Sequence, residues 1–407
     1  MSEISLMVMP QRADDEDSGP LFLLLRNGVW RSIPWTGHIT MAELREGTDH
    51  LLGDVMDEIE ADRPEGALSN LQGHFSELWN HLIPLRLQIH IREALEGGGT
   101  PRLLVHTHRQ LDWIPWELLY PEGGWLGVRC RIARLPIVDR GGPEELEPEH
   151  PVRRVASFLG GRIFEEPLEQ GAEYKGWYGL FDGLCGVRID RWPVGARAGP
   201  PELKWPTVED FRASCSADII HMTCHSGVRA NAKPYLTLNG TELLAHAVTG
   251  EVVGAMKYPP QGPLIFGNAC GRVPGAERRS AVIESLATSF YKQGVSAYIG
   301  TMASISRRVA LSFAQHFYGR LLVEHEPVGE ALRRTKEHFA ESKEPDPSWL
   351  FYCLYGWPDT RFVRAADNGD AAAEAARADA AARAAEAAVQ APEAAQAPEM
   401  AVGGGPE

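Results

Sequence analysis

The chain reads as an α/β protein: a sandwich with a mostly parallel central sheet, preceded by a smaller α+β lobe at the N-terminus. Three observations predict this. From Val152 onward, short apolar runs alternate with segments of helical spacing, the pattern of βα units around a sheet covered on both faces. Before that point a hairpin signal and two amphipathic segments follow a different order. Between the two regions GGPEELEPEHP, residues 141–151, has the makeup of a surface linker.

Composition sets outer limits. The chain has 407 residues, 44% of them apolar, enough for about two or three domains with a sizeable core. A net charge of -15 argues against a nucleic-acid surface, which needs a basic stripe. No apolar run reaches the roughly 18 residues of a membrane span. The opening MSEISLMVMPQRADDEDSG lacks the basic and apolar regions of a signal peptide. Cys130, Cys185, Cys215, Cys224, Cys270 and Cys353 show no CxxC spacing. Without an export signal they read as reduced thiols, and the expected compartment is the cytoplasm.

Residues 1–20, with Asp14-Asp15-Glu16-Asp17, read as a frayed polar end. Leu21 to Arg26 and Val29 to Ile33 flank Asn27-Gly28, which supplies the positive φ of a two-residue hairpin turn. Met41 to Ala61 carries Leu44, Leu51, Leu52, Val55 and Ile59 at helical spacing, and Leu68 to Leu95 carries Leu71, Phe75, Leu78 and Leu82. Pro84 breaks or kinks the second helix and Gly97-Gly98-Gly99 ends it. Arg102 to His106 reads as a strand. Trp113, Trp116 and Trp125, within and after LDWIPWELLY, read as core. His106-Thr107-His108 has no third ligand close by, so it is a poor metal site.

Beyond the linker, strands fit Arg154–Phe158, Val187–Arg191, Asp218–Thr223, Tyr235–Leu238, Pro263–Phe266 and Val295–Gly300. Helices fit Thr207–Ala213, Arg278–Gln293, Arg307–Glu324 and Pro327–Glu341, with Gly294 as a C-terminal cap. After Arg364 the chain turns alanine-rich. It could be helical by propensity but has no stripe of large apolar residues. We read it as a solvated tail or a docking segment. The organisation expected is an extension over 1–70, a first lobe over 71–150, a main lobe over 151–363 and a tail over 364–407.

Several chemistries are thinned out by what is missing. The chain has no GxxxxGK(S/T) loop, no HExxH and no GxSxG elbow, and Gly160-Gly161 is not a full GxGxxG. No cofactor is implied. Cys215, His221, Cys224 and His225 lie close in sequence, but His221 and His225 on one strand sit about 13 Å apart, too far for one ion. Two other stretches share a shape. Pro263 to Gly267 is apolar and leads into Asn268-Ala269-Cys270-Gly271; Ala217 onward leads into His225-Ser226-Gly227. Neighbouring strands of that kind would bring a thiol and an imidazole to one rim, the minimum for thiol nucleophilic catalysis. Taken alone, each has a blander reading, an inert buried thiol and a structural histidine. Both readings stay open on the residues alone.

The ordered set HMTCHSGV, LIFGNACGRV, VSAYIGTMASIS and FYCLYGWPDTRFV, with LDWIPWELLY before it, resembles the CHAT family, caspase-like domains of bacterial regulatory and defence proteins. The likeness runs from about Leu71 to Val363. It implies the caspase-like α/β/α fold and a cysteine endopeptidase, with His225 at the family's catalytic histidine and Cys270 at its nucleophile. Backbone groups of Ser226, Gly227 and Cys270 would then hold the oxyanion. Asn268 resembles a position lining the specificity pocket of caspase relatives. Arg307 and Arg308 follow a loop that resembles the one supplying a pocket arginine in caspases, where many CHAT domains are acidic. The resemblance implies that one of them receives an acidic side chain before the cut bond, the alternative being a pair of surface charges. The expected partners are a protein substrate and an activating protein or complex using residues 1–70 or the tail, with no nucleic acid and no membrane. The competing reading is a caspase-like scaffold that recruits a partner and cleaves little.

Overall fold

The structure is a computed structural model. It describes residues 3–12, 19–37, 39–61, 64, 66–108, 110–137, 149–159, 176–177, 179–192, 207–228, 234–238, 241–244, 262–270 and 279–365. The alanine-rich tail, Gly160-Gly161 and most of the linker lie outside these residues.

The N-terminal part supplies β1 (Glu3–Pro10), β2 (Pro20–Arg26) and β3 (Val29–Pro34), then α1 (Met41–Glu60), α2 (Ala67–Leu82) and α3 (Leu85–Glu96), then β4 (Arg102–Thr107), a short α4 (Leu126–Arg129) and β5 (Arg131–Pro136). The β2–β3 turn is as the sequence requires: Asn27 has φ 51° and Gly28 φ 75°. Thr40 and Glu43 cap α1 reciprocally. Pro84 separates α2 from α3, and Leu71, Phe75, Leu78 and Leu82 are buried.

One expectation fails here. Residues 1–20 were expected to be frayed, yet β1 is an inner strand. It pairs antiparallel with β2 and parallel with β4. The alternation Ile4, Leu6, Val8 explains it: all three are buried, a period-2 stripe that an acidic neighbourhood in the sequence masks. The acidic cluster 14–17 itself lies outside the described residues.

The rest of the chain adds β6 (Glu149–Val152), β7 (Arg154–Leu159), β8 (Arg188–Trp192), α5 (Val208–Ser214), β9 (Ile219–Val228), β10 (Pro234–Leu238), β11 (Thr241–Leu244), β12 (Leu264–Cys270), α6 (Arg279–Lys292), β13 (Ala297–Thr301), α7 (Arg307–Tyr318), α8 (Val328–Glu341), β14 (Tyr352–Gly356) and β15 (Arg361–Arg364). Gly294, with φ 88°, ends the α6 segment.

Among the described residues a 13-stranded sheet runs β11-β10-β9-β12-β13-β14-β5-β4-β1-β2-β3, with β7 and β8 branching from β9. The two parts anticipated from sequence therefore share one sheet. They meet where β14 lies parallel to β5, through the pair Tyr355–Arg134. β6 and β15 form a separate two-stranded sheet. Phe313 of α7 stacks on Tyr352 at 3.8 Å, and Phe290 of α6 stacks on Tyr298 at 5.5 Å. Tyr298 pairs with Tyr355, three residues from Tyr352 and so on the other face. Helices thus cover both faces.

The seam between the two parts is polar and buried. Arg134 donates to Glu117 at 3.1 and 2.5 Å and to the Ile114 carbonyl at 2.9 Å. Asp112 accepts from Thr107 at 2.9 Å and from the Tyr355 hydroxyl at 3.0 Å. Burial raises the Asp112 pKa. Burial works against the Arg134 charge too, but Glu117 more than compensates and holds the guanidinium charged. No helix among the described residues is long and apolar enough to cross a membrane.

Candidate active site

β9 and β12 run side by side and parallel, and their register pairs His221 with Phe266, Thr223 with Asn268 and His225 with Cys270. Paired positions in a parallel ladder share a face of the sheet, and neighbouring strands lie about 4.8 Å apart. His225 and Cys270 are therefore adjacent, on one face, at the carboxyl ends of two central strands. That edge is where open α/β sheets bind ligands.

Both strands run further than the sequence suggested. β9 was expected to end at Thr223 and β12 at Phe266, with His225 and Cys270 in the turns beyond. Instead β12 includes Cys270, and β9 continues to Val228. Small and glycine residues read locally as a turn, but long-range pairing decides. β10 comes back antiparallel to β9 and pairs Thr237 with His225, Leu236 with Ser226 and Tyr235 with Gly227.

The flank of β9 changes partner at this place. Among the described residues β7 pairs with β9 as far as Leu159–Thr223, and β10 pairs with it from His225 onward. On the other flank, the last step of the β12 ladder among the described residues is Cys270–His225. The backbone of Ser226 and Gly227 thus lies one step past the paired histidine, beside the end of β12.

Below the pair lies a buried polar column. The Tyr352 hydroxyl donates to Asn268 Oδ1 at 2.6 Å, and Asn268 is 2% exposed. His221 sits between Tyr318 Oη, 3.1 Å from Nδ1, and Thr223 Oγ1, 3.0 Å from Nε2. Its ring stacks on Phe266 with centroids 5.4 Å apart. Burial pushes its pKa down to about 3, so the ring is neutral near pH 7: one nitrogen donates and the other accepts. His221 is a core histidine. Among the described residues no group of three or more His, Cys, Asp or Glu could hold a metal ion.

The other candidate groups are elsewhere. Asp218 Oδ2 accepts from the backbone of Arg153 and Arg154 at 2.8 and 2.9 Å, at the opposite end of β9. Arg307 and Arg308 open α7 behind the Ser306 cap. Arg308 forms a fork with Glu344 at 2.9 and 2.6 Å, which commits its guanidinium there. Tyr352 and Thr223 were not anticipated. The Tyr352 contact crosses from β14 to β12 and spans 84 residues of sequence, a distance no local pattern spans, while Thr223 meets His221 two residues away on β9.

The family model of the CHAT domain matches residues 189–395, just over half of the chain. The match starts at β8 and leaves the N-terminal strands and the LDWIPWELLY stretch outside it. No curated protein matches the chain. Among solved structures, the separase–securin complex of Saccharomyces cerevisiae aligns over 89% of this chain with a TM-score of 0.55 at 9% identity. A second structure of that complex gives 0.50 at 10% over the same share. In both, the chain covers 30% of that chain's length. Gingipain R of Porphyromonas gingivalis aligns over 72% of this chain and 68% of its own, at 10% identity and a TM-score of 0.38. At such identities the separase likeness is one of fold, the caspase-like α/β sandwich.

Proposed function

The chain belongs to the CHAT domain family, and from that premise we propose that it is a cysteine endopeptidase with a His225–Cys270 dyad. The observation that carries this reading is the register pair His225–Cys270 at the carboxyl edge of β9 and β12. A base and a thiol on adjacent strands of one face have the placement that nucleophilic catalysis needs.

In the proposed mechanism, His225 takes the thiol proton of Cys270, and the thiolate attacks the carbonyl carbon of a peptide bond. Backbone N–H groups of Cys270 and of Ser226 or Gly227 stabilise the oxyanion of the tetrahedral intermediate. The intermediate collapses as His225 gives its proton to the leaving amine, which departs and leaves a thioester on Cys270. Water, giving a proton to His225, then attacks the thioester. The acid product leaves, and the proton returns to the thiolate. Asp218 orients nothing in this scheme, because it is bound at the far end of β9. Asn268 belongs to the pocket for the residue before the cut bond.

The substrate class is a specific partner protein, within a bacterial signalling, defence or cell-death pathway. This setting rests on the family resemblance. An activating protein or complex using residues 1–70 or the tail is part of the same reading. The test compares protein N-termini in cells carrying the parent or Cys270→Ala. New N-termini confined to the parent support the peptidase. Identical N-termini with an unchanged cellular effect would favour the scaffold reading.

A further inference from the structure

The fold leaves one polar atom near the proposed dyad over, the Asn268 amide nitrogen. Asn268 Oδ1 holds the proton of the Tyr352 hydroxyl at 2.6 Å. Its Nδ2, with two N–H donors, is buried and has no hydrogen-bond partner among the described residues. Buried donors of this kind are rare and costly to leave unsatisfied, so each asks for a reason.

Its place suggests the reason. Asn268 lies two residues before Cys270 on the same strand, hence on the same face. It pairs with Thr223, one register step inside the His225–Cys270 pair. Thr223 Oγ1 is already within 3.0 Å of His221 Nε2. With Oδ1 held by Tyr352 of β14, the planar amide turns Nδ2 away from β14.

Tyr352 itself is tightly set. Its ring stacks on Phe313 at 3.8 Å with planes 6° apart. Its carbonyl accepts from Lys336 Nζ at 2.6 Å. The hydroxyl is therefore preset, and through it the direction of the amide.

We propose that Tyr352 and Asn268 together form a donor floor for the side chain preceding the cleaved bond. The floor selects an acceptor side chain, Asp, Glu, Asn or Gln, over a basic or aliphatic one. This rests on the peptidase reading above and adds Tyr352 as a residue that positions Asn268 and so sets specificity. A site built to hydrogen-bond a substrate group strongly rejects analogues that lack it, because its own polar atoms are then left unpaired. No cation is needed for this, which fits an Arg308 engaged by Glu344.

The test uses the purified full chain and a peptide series that varies only the residue before the cut. The parent should cleave after acceptor side chains at least roughly tenfold better in kcat/KM than after leucine. Tyr352→Phe keeps the stacked ring and removes only the hydroxyl. It should lower that ratio roughly tenfold, mainly through KM, because the amide is then free to turn over. Asn268→Asp, nearly isosteric, should move the preference toward lysine and arginine. Near-UV circular dichroism confirms that both variants are folded.

A parent with no preference, or with a basic one, overturns the proposal. So does a Tyr352→Phe variant that slows every peptide by the same factor, which would mark a structural role alone. Those outcomes leave the dyad standing. Absence of any Cys270-dependent cleavage removes the peptidase reading and this proposal with it.

Discussion

His221 shows how one side chain can look functional in sequence and prove structural in the fold. It shares a strand and a face with His225, yet lies buried against Phe266 and hydrogen-bonded at both nitrogens. Its folded pKa of about 3 is below the unfolded value of about 6.5. As pH falls, the unfolded chain takes up the proton first. The stability contribution is full above pH 6.5 and is lost progressively toward pH 3, at about 1.4 kcal/mol per pH unit. His221→Gln should flatten the dependence of unfolding free energy on pH between 6 and 4, relative to the parent. Equal slopes in urea titrations would show that His221 is not the group responsible. At this scale the sequence singled out His225 and Cys270 through short, local motifs, and the register sets the two side by side. It was silent on Tyr352, whose role depends on three strands lying side by side.

At the scale of elements, β1 is the instructive case. An acidic neighbourhood in the sequence suggested a frayed end. A period-2 stripe of Ile4, Leu6 and Val8 instead places the strand between β2 and β4. Leu6 is fully buried, so Leu6→Ala should cost about 2–5 kcal/mol in chemical denaturation. A change below about 0.5 kcal/mol is what a frayed end would give. The helices were legible because their signals are local: apolar residues at helical spacing such as Leu71, Phe75, Leu78 and Leu82, the proline at position 84 and the glycine at position 294. The ends of β9 and β12 were not, because pairing partners distant in sequence extended them past residues that locally favour a turn.

At the scale of the whole molecule, the two parts of the chain share one sheet, so they should unfold as one cooperative body. Its seam is Tyr355–Arg134, reinforced by Asp112 and Glu117 around the guanidinium. Replacing Arg134 with Met leaves two buried carboxylates without that cation and should cost about 3–5 kcal/mol. Adding Glu117→Gln should recover part of the loss, and a single calorimetric transition should persist in the parent. Two separate transitions in the parent, or a neutral Arg134→Met, would mean that the halves fold independently. The alternation of strands and helices revealed the α/β class, but continuity through β5 and β14 was hidden. Neither strand carries a signal naming the other.

The measurement that bears most directly on the proposed dyad is the pH dependence of thiol alkylation by iodoacetamide, resolved cysteine by cysteine. Burial pushes Cys130 and Cys215 up to about 12 and raises Cys353 as well, so these three should stay inert. The exposed Cys185 serves as the reference thiol. Cys270 paired with an imidazole should react far faster than Cys185 at pH 6–7, and His225→Ala should remove that advantage. A Cys270 that reacts no faster than Cys185, with or without His225, would contradict the account.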